Sequence, residues 1–144
     1  MRVLLDANIF ISYLLSRKGS IHEVLRAAFD QRYTLILPQP LLDELVAAVS
    51  QKPRLSRRIS TRQLQEFVEI LVSIAESVGP LSQPIPPITR DPKDDYLIAY
   101  SVVEAVDYLV TGDQDLLVLE EIAGVEILSP TAFFQLLAAG DAGA

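Results

Sequence analysis

The first fifteen residues, Met1-Arg-Val-Leu-Leu-Asp-Ala-Asn-Ile-Phe-Ile-Ser-Tyr-Leu-Leu15, constrain the fold more than any other stretch. Val3, Leu4 and Leu5 form an apolar run without alternation, as in a strand covered on both faces of a parallel sheet, and the pattern turns helical from about Ile9. Asp6 thereby falls at the carboxyl end of a buried strand, where open α/β sheets bind their ligands. A carboxylate there is costly to bury uncompensated. Two readings compete: Asp6 or Asn8 caps the following helix by accepting from its free N–H groups, or Asp6 belongs to a charged site.

Downstream, strand and helix patterns alternate. Ser20-Ile-His-Glu23 has capping-box spacing ahead of Val24, Leu25, Ala28 and Phe29, which puts His22 in a first helical turn as a surface residue. Tyr33–Leu37 reads as a strand ended by Pro38, and Leu41, Leu42, Leu45, Val46 and Val49 as one helix face behind Pro40. Ser60 and Gln63 form a second capping box, opening a helix from about Thr61 to Val78 with Leu64, Phe67, Val68, Leu71, Val72 and Ala75 on its stripe. Residues 79–89 hold four prolines and read as a connection crossing the domain with at most a minimal strand. Asp91, before Pro92, is the natural N-cap of the next helix, which reaches about Ala105. Asp107–Thr111 is a strand, residues 112–115 a tight turn, Leu116–Glu120 one helical turn and Val125–Leu128 the last strand. Ser129 and Pro130 begin a final helix. This alternation predicts a three-layer α/β domain, a central parallel sheet of four or five strands flanked by helices, over residues 1–139 with a flexible tail at 140–144.

At 144 residues the chain suits one domain, and its hydrophobic half excludes disorder. No apolar run approaches the roughly 20 residues that span a bilayer, and the N-terminal stretch carries Asp6 where a signal peptide would be apolar. A cytoplasmic protein with no membrane partner is the expectation. With no Cys and one His, zinc ribbons, thiol nucleophiles and iron–sulfur clusters are excluded. The net charge of −7 argues against a general nucleic-acid coat. Yet Lys52, Arg54, Arg57, Arg58 and Arg62 fall within a window free of acids, a local basic patch that either holds a nucleic-acid strand or merely solvates a loop.

Four groups of acids share one position in this architecture: Asp6 after the first strand, Glu44 in the helix after the second, Asp94 and Asp95 opening the long helix, and Asp113 with Asp115 after the next strand. In a parallel sheet these ends lie along one edge. Carboxylates gathered there repel, and Mg²⁺ or Mn²⁺, which takes oxygen ligands, relieves the repulsion without His or Cys. Each acid also has a plainer role. Asp94 can accept at the cap as a capping-box Glu does, whereas Asp95 heads a stripe with Ile98, Ala99 and Val102 and makes the better ligand. Glu44 sits on its helix flank beside Asp43, where a solvated face is equally open; Asp113 also reads as a turn cap, although its pairing with Asp115 exceeds what a turn requires. Asn8 and Thr111 are candidates for orienting the carboxylates, or simply cap and strand-end residues.

Taken together, Leu4-Leu-Asp6-Ala-Asn8-Ile-Phe-Ile-Ser12, the acid in Leu42-Asp-Glu44-Leu, Asp91-Pro-Lys-Asp94-Asp95-Tyr-Leu-Ile-Ala99 and Asp107-Tyr-Leu-Val-Thr-Gly-Asp113-Gln-Asp115-Leu-Leu resemble the PIN-domain ribonucleases, and in particular the VapC-like branch of toxin components of toxin–antitoxin pairs. The resemblance covers essentially the whole chain, including Ile127–Phe134. It implies a catalytic set of Asp6, Glu44, Asp95 and Asp113, with metal ligation by Asp6, Asp95, Asp113 and the accessory Asp115, and with Asp94 a rival to its neighbour. It further implies hydrolysis of single-stranded RNA with Mg²⁺ or Mn²⁺ to 5′-phosphate and 3′-hydroxyl products, one ion held by Asp6, Asp95 and Asp113 and a second steadied by Glu44. An antitoxin is the implied protein partner. The helix after Ser60 and the Phe133–Leu137 segment serve either the core or a homodimer seam. The competing readings are a catalytically silent RNA- or protein-binding module of the same fold and, remotely, a receiver-like phospho-acceptor domain. The latter lacks the second acid after strand one and any Lys beyond Lys93.

Overall fold

The computed structural model describes residues 1–16, 18–82, 84–85 and 92–143, with backbone alone for 92, 93 and 141–143. The chain runs β1 (Arg2–Leu5), α1 (Ala7–Leu15), α2 (Gly19–Phe29), β2 (Thr34–Pro38), α3 (Gln39–Gln51), α4 (Pro53–Ser56), α5 (Thr61–Ile74), β3 (Glu76–Val78), α6 (Pro92–Val103), β4 (Tyr108–Val110), α7 (Gln114–Leu117), β5 (Glu121–Ile122), β6 (Val125–Leu128) and α8 (Pro130–Gly143). The strands form one sheet in the order β3-β2-β1-β4-β6-β5, flanked by helices. Five strands are mutually parallel, and β5 adds an antiparallel edge on β6 through Glu121↔Glu126 and Ile122↔Val125. This sixth strand has no periodicity to announce it. It exists because Ala123 and Gly124, at φ 49° and 86°, make the two-residue left-handed turn that suits a tight hairpin.

The order of the strands positions the site. From β1 the chain winds outward to β2 and β3, then returns to lay β4 on the other side of β1, with Val3↔Tyr108, Leu4↔Leu109 and Leu5↔Val110 in register. The winding reverses between β1 and β4, and the crevice beyond their carboxyl ends is the place where such sheets take ligands. The ladder continues past the strands, Asp6 N–H donating to Val110 O at 3.0 Å and Thr111 N–H to Leu128 O at 2.9 Å. Asp6 and Thr111 therefore stand side by side at that crevice. Beneath them lies one core in which Leu4, Leu5, Phe10 and Phe133 are wholly buried. Phe67 of α5 meets Phe10 edge-on and stacks on Tyr13 of α1, tying the outer helix to the first one.

Several boundaries differ from those read in the sequence. The Ser60–Gln63 capping box forms in both directions, but α2 starts at Gly19 behind Lys18 and no side chain caps it, so the Ser20–Glu23 box is absent. Ser20 lies one residue inside α2, past the position from which a side chain caps the helix. His22 is half-buried rather than a surface residue, its ring stacked on Tyr13 and its Nδ1 enclosed without a hydrogen-bond partner among the described residues. The helix expected to reach Val78 ends at Ile74, and residues 76–78 leave it to pair with β2, so the minimal strand comes before residues 79–89 rather than within them. Val46, Val72 and Val102, all assigned to apolar stripes, are exposed. The last helix continues to Gly143, through most of the stretch read as a tail. Asp91 lies outside the described residues. No helix among the described residues is long and apolar enough to cross a membrane.

Candidate functional site

Asp6, Asp94, Asp95 and Thr111 are all buried, at 5–7% exposure for the three acids and none for Thr111, and all stand at the carboxyl edge of the sheet. Burial of so many polar groups at one edge requires partners. The Asp6 carboxylate has two: its Oδ1 accepts the Asn8 N–H at 3.2 Å, and its Oδ2 accepts the Thr111 hydroxyl at 2.7 Å. Asp6 thus caps α1 from the carboxyl end of β1, beside Thr111. Thr111 Oγ1 in turn accepts the Asp113 N–H at 3.1 Å, so one hydroxyl joins the ends of β1 and β4. Burial pushes the Asp6 carboxyl above the usual aspartate range; the Thr111 and Asn8 hydrogen bonds oppose the shift, and the charge of Asp113 adds to it.

Asp113 caps α7, its Oδ1 accepting the Asp115 N–H at 2.9 Å. This cap turns Asp115 back toward Asp113. One carboxylate oxygen each from Asp94, Asp113 and Asp115 then lies within 4.8 Å of the others. Oxygens on opposite sides of an octahedral Mg²⁺ stand about 4.2 Å apart, so the three oxygens approach the spacing of ligands around one ion. The donor set is all oxygen, which favours Mg²⁺ or Mn²⁺ over zinc or copper.

On α6 it is Asp94, not Asp95, that joins this group. Asp94, Leu97, Ile98 and Ser101 are all buried at helical intervals, whereas the stripe read from Asp95 ends on the exposed Val102. The sequence misleads here because Ser101 is polar yet fully buried. Its hydroxyl donates to Leu97 O at 2.7 Å and is satisfied inside its own helix. Asp95 is buried at the same end of α6 but lies outside the carboxylate group.

Glu44 stands apart from the three. It is half-buried on α3 and lines an open groove of about 520 Å³ with Ala7, Asn8, Gln51, Lys52 and Tyr96. Its Oε2 accepts the hydroxyl of Tyr96, a residue of α6 that sequence reasoning missed. The only hint was position, two residues beyond Asp94. The Tyr96 phenol is raised far above its ordinary range, first by burial and then by Glu44 as acceptor and the charges of Glu44, Asp6 and Asp94. Asn8 also lines the groove, yet it reaches Asp6 through its backbone N–H, a contact that another residue type would also make. Of the basic patch only Lys52 lines the groove; Arg54 and Arg57 are exposed on and after α4, Arg58 reaches Leu15 O at 3.5 Å, and Arg62 pairs with Glu66 at 3.0 Å in solvent.

The arrangement is thus a carboxylate-rich crevice at the winding reversal, beside a groove lined by Glu44, Tyr96 and one lysine. The same fold is found in VapBC2 from Rickettsia felis, solved bound to a DNA fragment from its promoter, at a TM-score of 0.63 and 17% identity over 90% of this chain and 98% of that one. It is found again in DNA-bound VapBC from Salmonella typhimurium, at a TM-score of 0.59 and 16% identity with the same coverage. No curated protein sequence matches. The PIN domain family model matches residues 2–115, from the first residue of β1 to the last acid of the crevice, and the chain accordingly belongs to the PIN-domain family.

Proposed function

We propose that the protein is a metal-dependent endoribonuclease that cuts single-stranded RNA, acting as the toxin of a toxin–antitoxin pair. The observation that carries the reading is the approach of Asp94, Asp113 and Asp115 within 4.8 Å beside the buried Asp6. The α7 cap accounts for the approach of Asp113 and Asp115, but not for the buried Asp94 of α6, whose carboxylate meets two like charges there. In this reading Asp94, Asp113 and Asp115 hold Mg²⁺ or Mn²⁺, with Asp6 completing the charge at the crevice floor. When bound, the ion supplies Lewis acidity toward the phosphate and a water of lowered pKa. Thr111 fixes the orientation of Asp6 and, through the Asp113 N–H, the start of α7. Lys52 neutralises a phosphate of the strand lying in the groove, and Asn8 and Gln51 offer its sugar and base edges neutral polar contacts. That both structural neighbours come from VapBC complexes supports an antitoxin as the protein partner.

The test is cleavage of an end-labelled, mixed-sequence single-stranded RNA by the purified protein with Mg²⁺ or Mn²⁺. Cutting that EDTA and Asp6→Asn both abolish is the expected result; a folded protein that leaves the RNA intact with both metals sinks the enzymatic reading. Induced expression that arrests growth, with Asp6→Asn harmless, is the corresponding expectation for the toxin role.

A further inference from the structure

Glu44 presents a problem of geometry. It lies on α3, outside the group formed by Asp94, Asp113 and Asp115, and carries its carboxylate on a flexible side chain at the wall of an open groove. Such a side chain samples many rotamers unless something holds it. What holds it is Tyr96, whose hydroxyl donates to Oε2 across 52 positions of sequence, while Oε1 has no hydrogen-bond partner among the described residues. Tyr96 is itself held. Its ring meets Tyr100 edge-on at 6.4 Å, and the Tyr100 hydroxyl donates to Gly79 O at 3.0 Å. Tyr96 and Asp94 share the first turns of α6, so the helix that brings one carboxylate to the crevice also fixes the direction of another.

We propose that Tyr96 is a positioning residue that fixes the Glu44 carboxylate on the groove wall, with Oε1 left to face the bound strand and the ion-binding acids. The proposal rests on the nuclease reading for its purpose, but the contact itself can be measured without it. In this scheme the Tyr96 hydroxyl is spent on Glu44 and acts on the reaction through it.

A double-mutant cycle of Tyr96→Phe and Glu44→Gln tests it, with two readouts. Tyr96→Phe keeps the ring and its contact with Tyr100 and removes the hydroxyl alone. In metal-free protein at fixed pH, the ¹³Cδ resonance of Glu44, assigned by its loss in Glu44→Gln, is expected to move on Tyr96→Phe; an unmoved resonance overturns the proposal whatever the RNA assay gives. In single-turnover cleavage, Tyr96→Phe is expected to lower the rate about tenfold with little change in KM, and to have almost no further effect in the Glu44→Gln background. An equal loss in both backgrounds overturns the proposal, since it means that Tyr96 acts independently of Glu44. If the wild-type protein fails to cut at all, the nuclease reading falls, and the carboxyl resonance still decides whether Tyr96 positions Glu44.

Discussion

Thr111 is fully buried and spends both sides of one hydroxyl, donating to Asp6 and accepting from the Asp113 N–H. Thr111→Val preserves shape and removes both contacts. Loss of such orienting partners typically lowers metal affinity or activity ~10–100-fold, which Mn²⁺ titration calorimetry and the RNA assay would each detect. The Asp6 carboxyl gives a pH signature. Its folded-state pKa is raised by burial, so above that pKa folding must bury an ion that the unfolded chain keeps hydrated; below the usual aspartate range both states are protonated and the cost vanishes. In EDTA, Asp6→Asn should therefore be more resistant to urea than the wild type near pH 7, with the advantage narrowing as the pH falls. An advantage that is constant with pH would mean that Asp6 is not the titrating group. The place of Asp6 at the end of a buried strand was legible because an acid ended an apolar run. Tyr96 was not, because a tyrosine in a helix reads as core until a partner distant in sequence is known.

At the scale of elements, patterns of apolar residues found β1, β2, β4, β6 and most helices, and failed where a polar residue was satisfied internally. Ser101 is the clearest case, since its bond to Leu97 O lets it sit in the buried stripe that begins with Asp94. The consequence is testable in the neighbouring acids: Asp94→Asn should reduce Mn²⁺ affinity at least about tenfold more than Asp95→Asn, and the reverse order would restore Asp95 as the ligand. Capping boxes behaved differently at two sites with the same spacing. Ser60 and Gln63 cap each other's backbone, whereas Ser20 lies inside α2, past the capping position that Lys18 occupies. The β5–β6 hairpin was invisible for another reason: Ala123 holds a left-handed conformation that its type disfavours. Ala123→Asn gives the Asn-Gly turn preferred there and should stabilise the fold by about 0.5–1 kcal/mol, read as a rise in urea midpoint at unchanged slope.

For the whole molecule, the sequence of strand and helix patterns implied a parallel sheet with its acids on one edge, but not the order of the strands; only the β1–β4 neighbourhood makes that edge a crevice. A net charge of −7 and a crowded carboxylate group mean that the fold works against its own repulsion. Divalent cations should then raise Tm by several degrees, since ligand at 100 times its Kd adds about 2.7 kcal/mol, and Asp113→Asn should abolish the rise in differential scanning fluorimetry. The pairing of β1 with β4 has a further effect on the order of events at synthesis. The first strand made keeps one edge bare until the segment around residue 108 has been added, and the acids meet only after Asp115 follows it. In the proposed reading the site therefore cannot assemble in a growing chain until Asp115 has been made and β4 has folded back against β1, so topology alone delays any cutting.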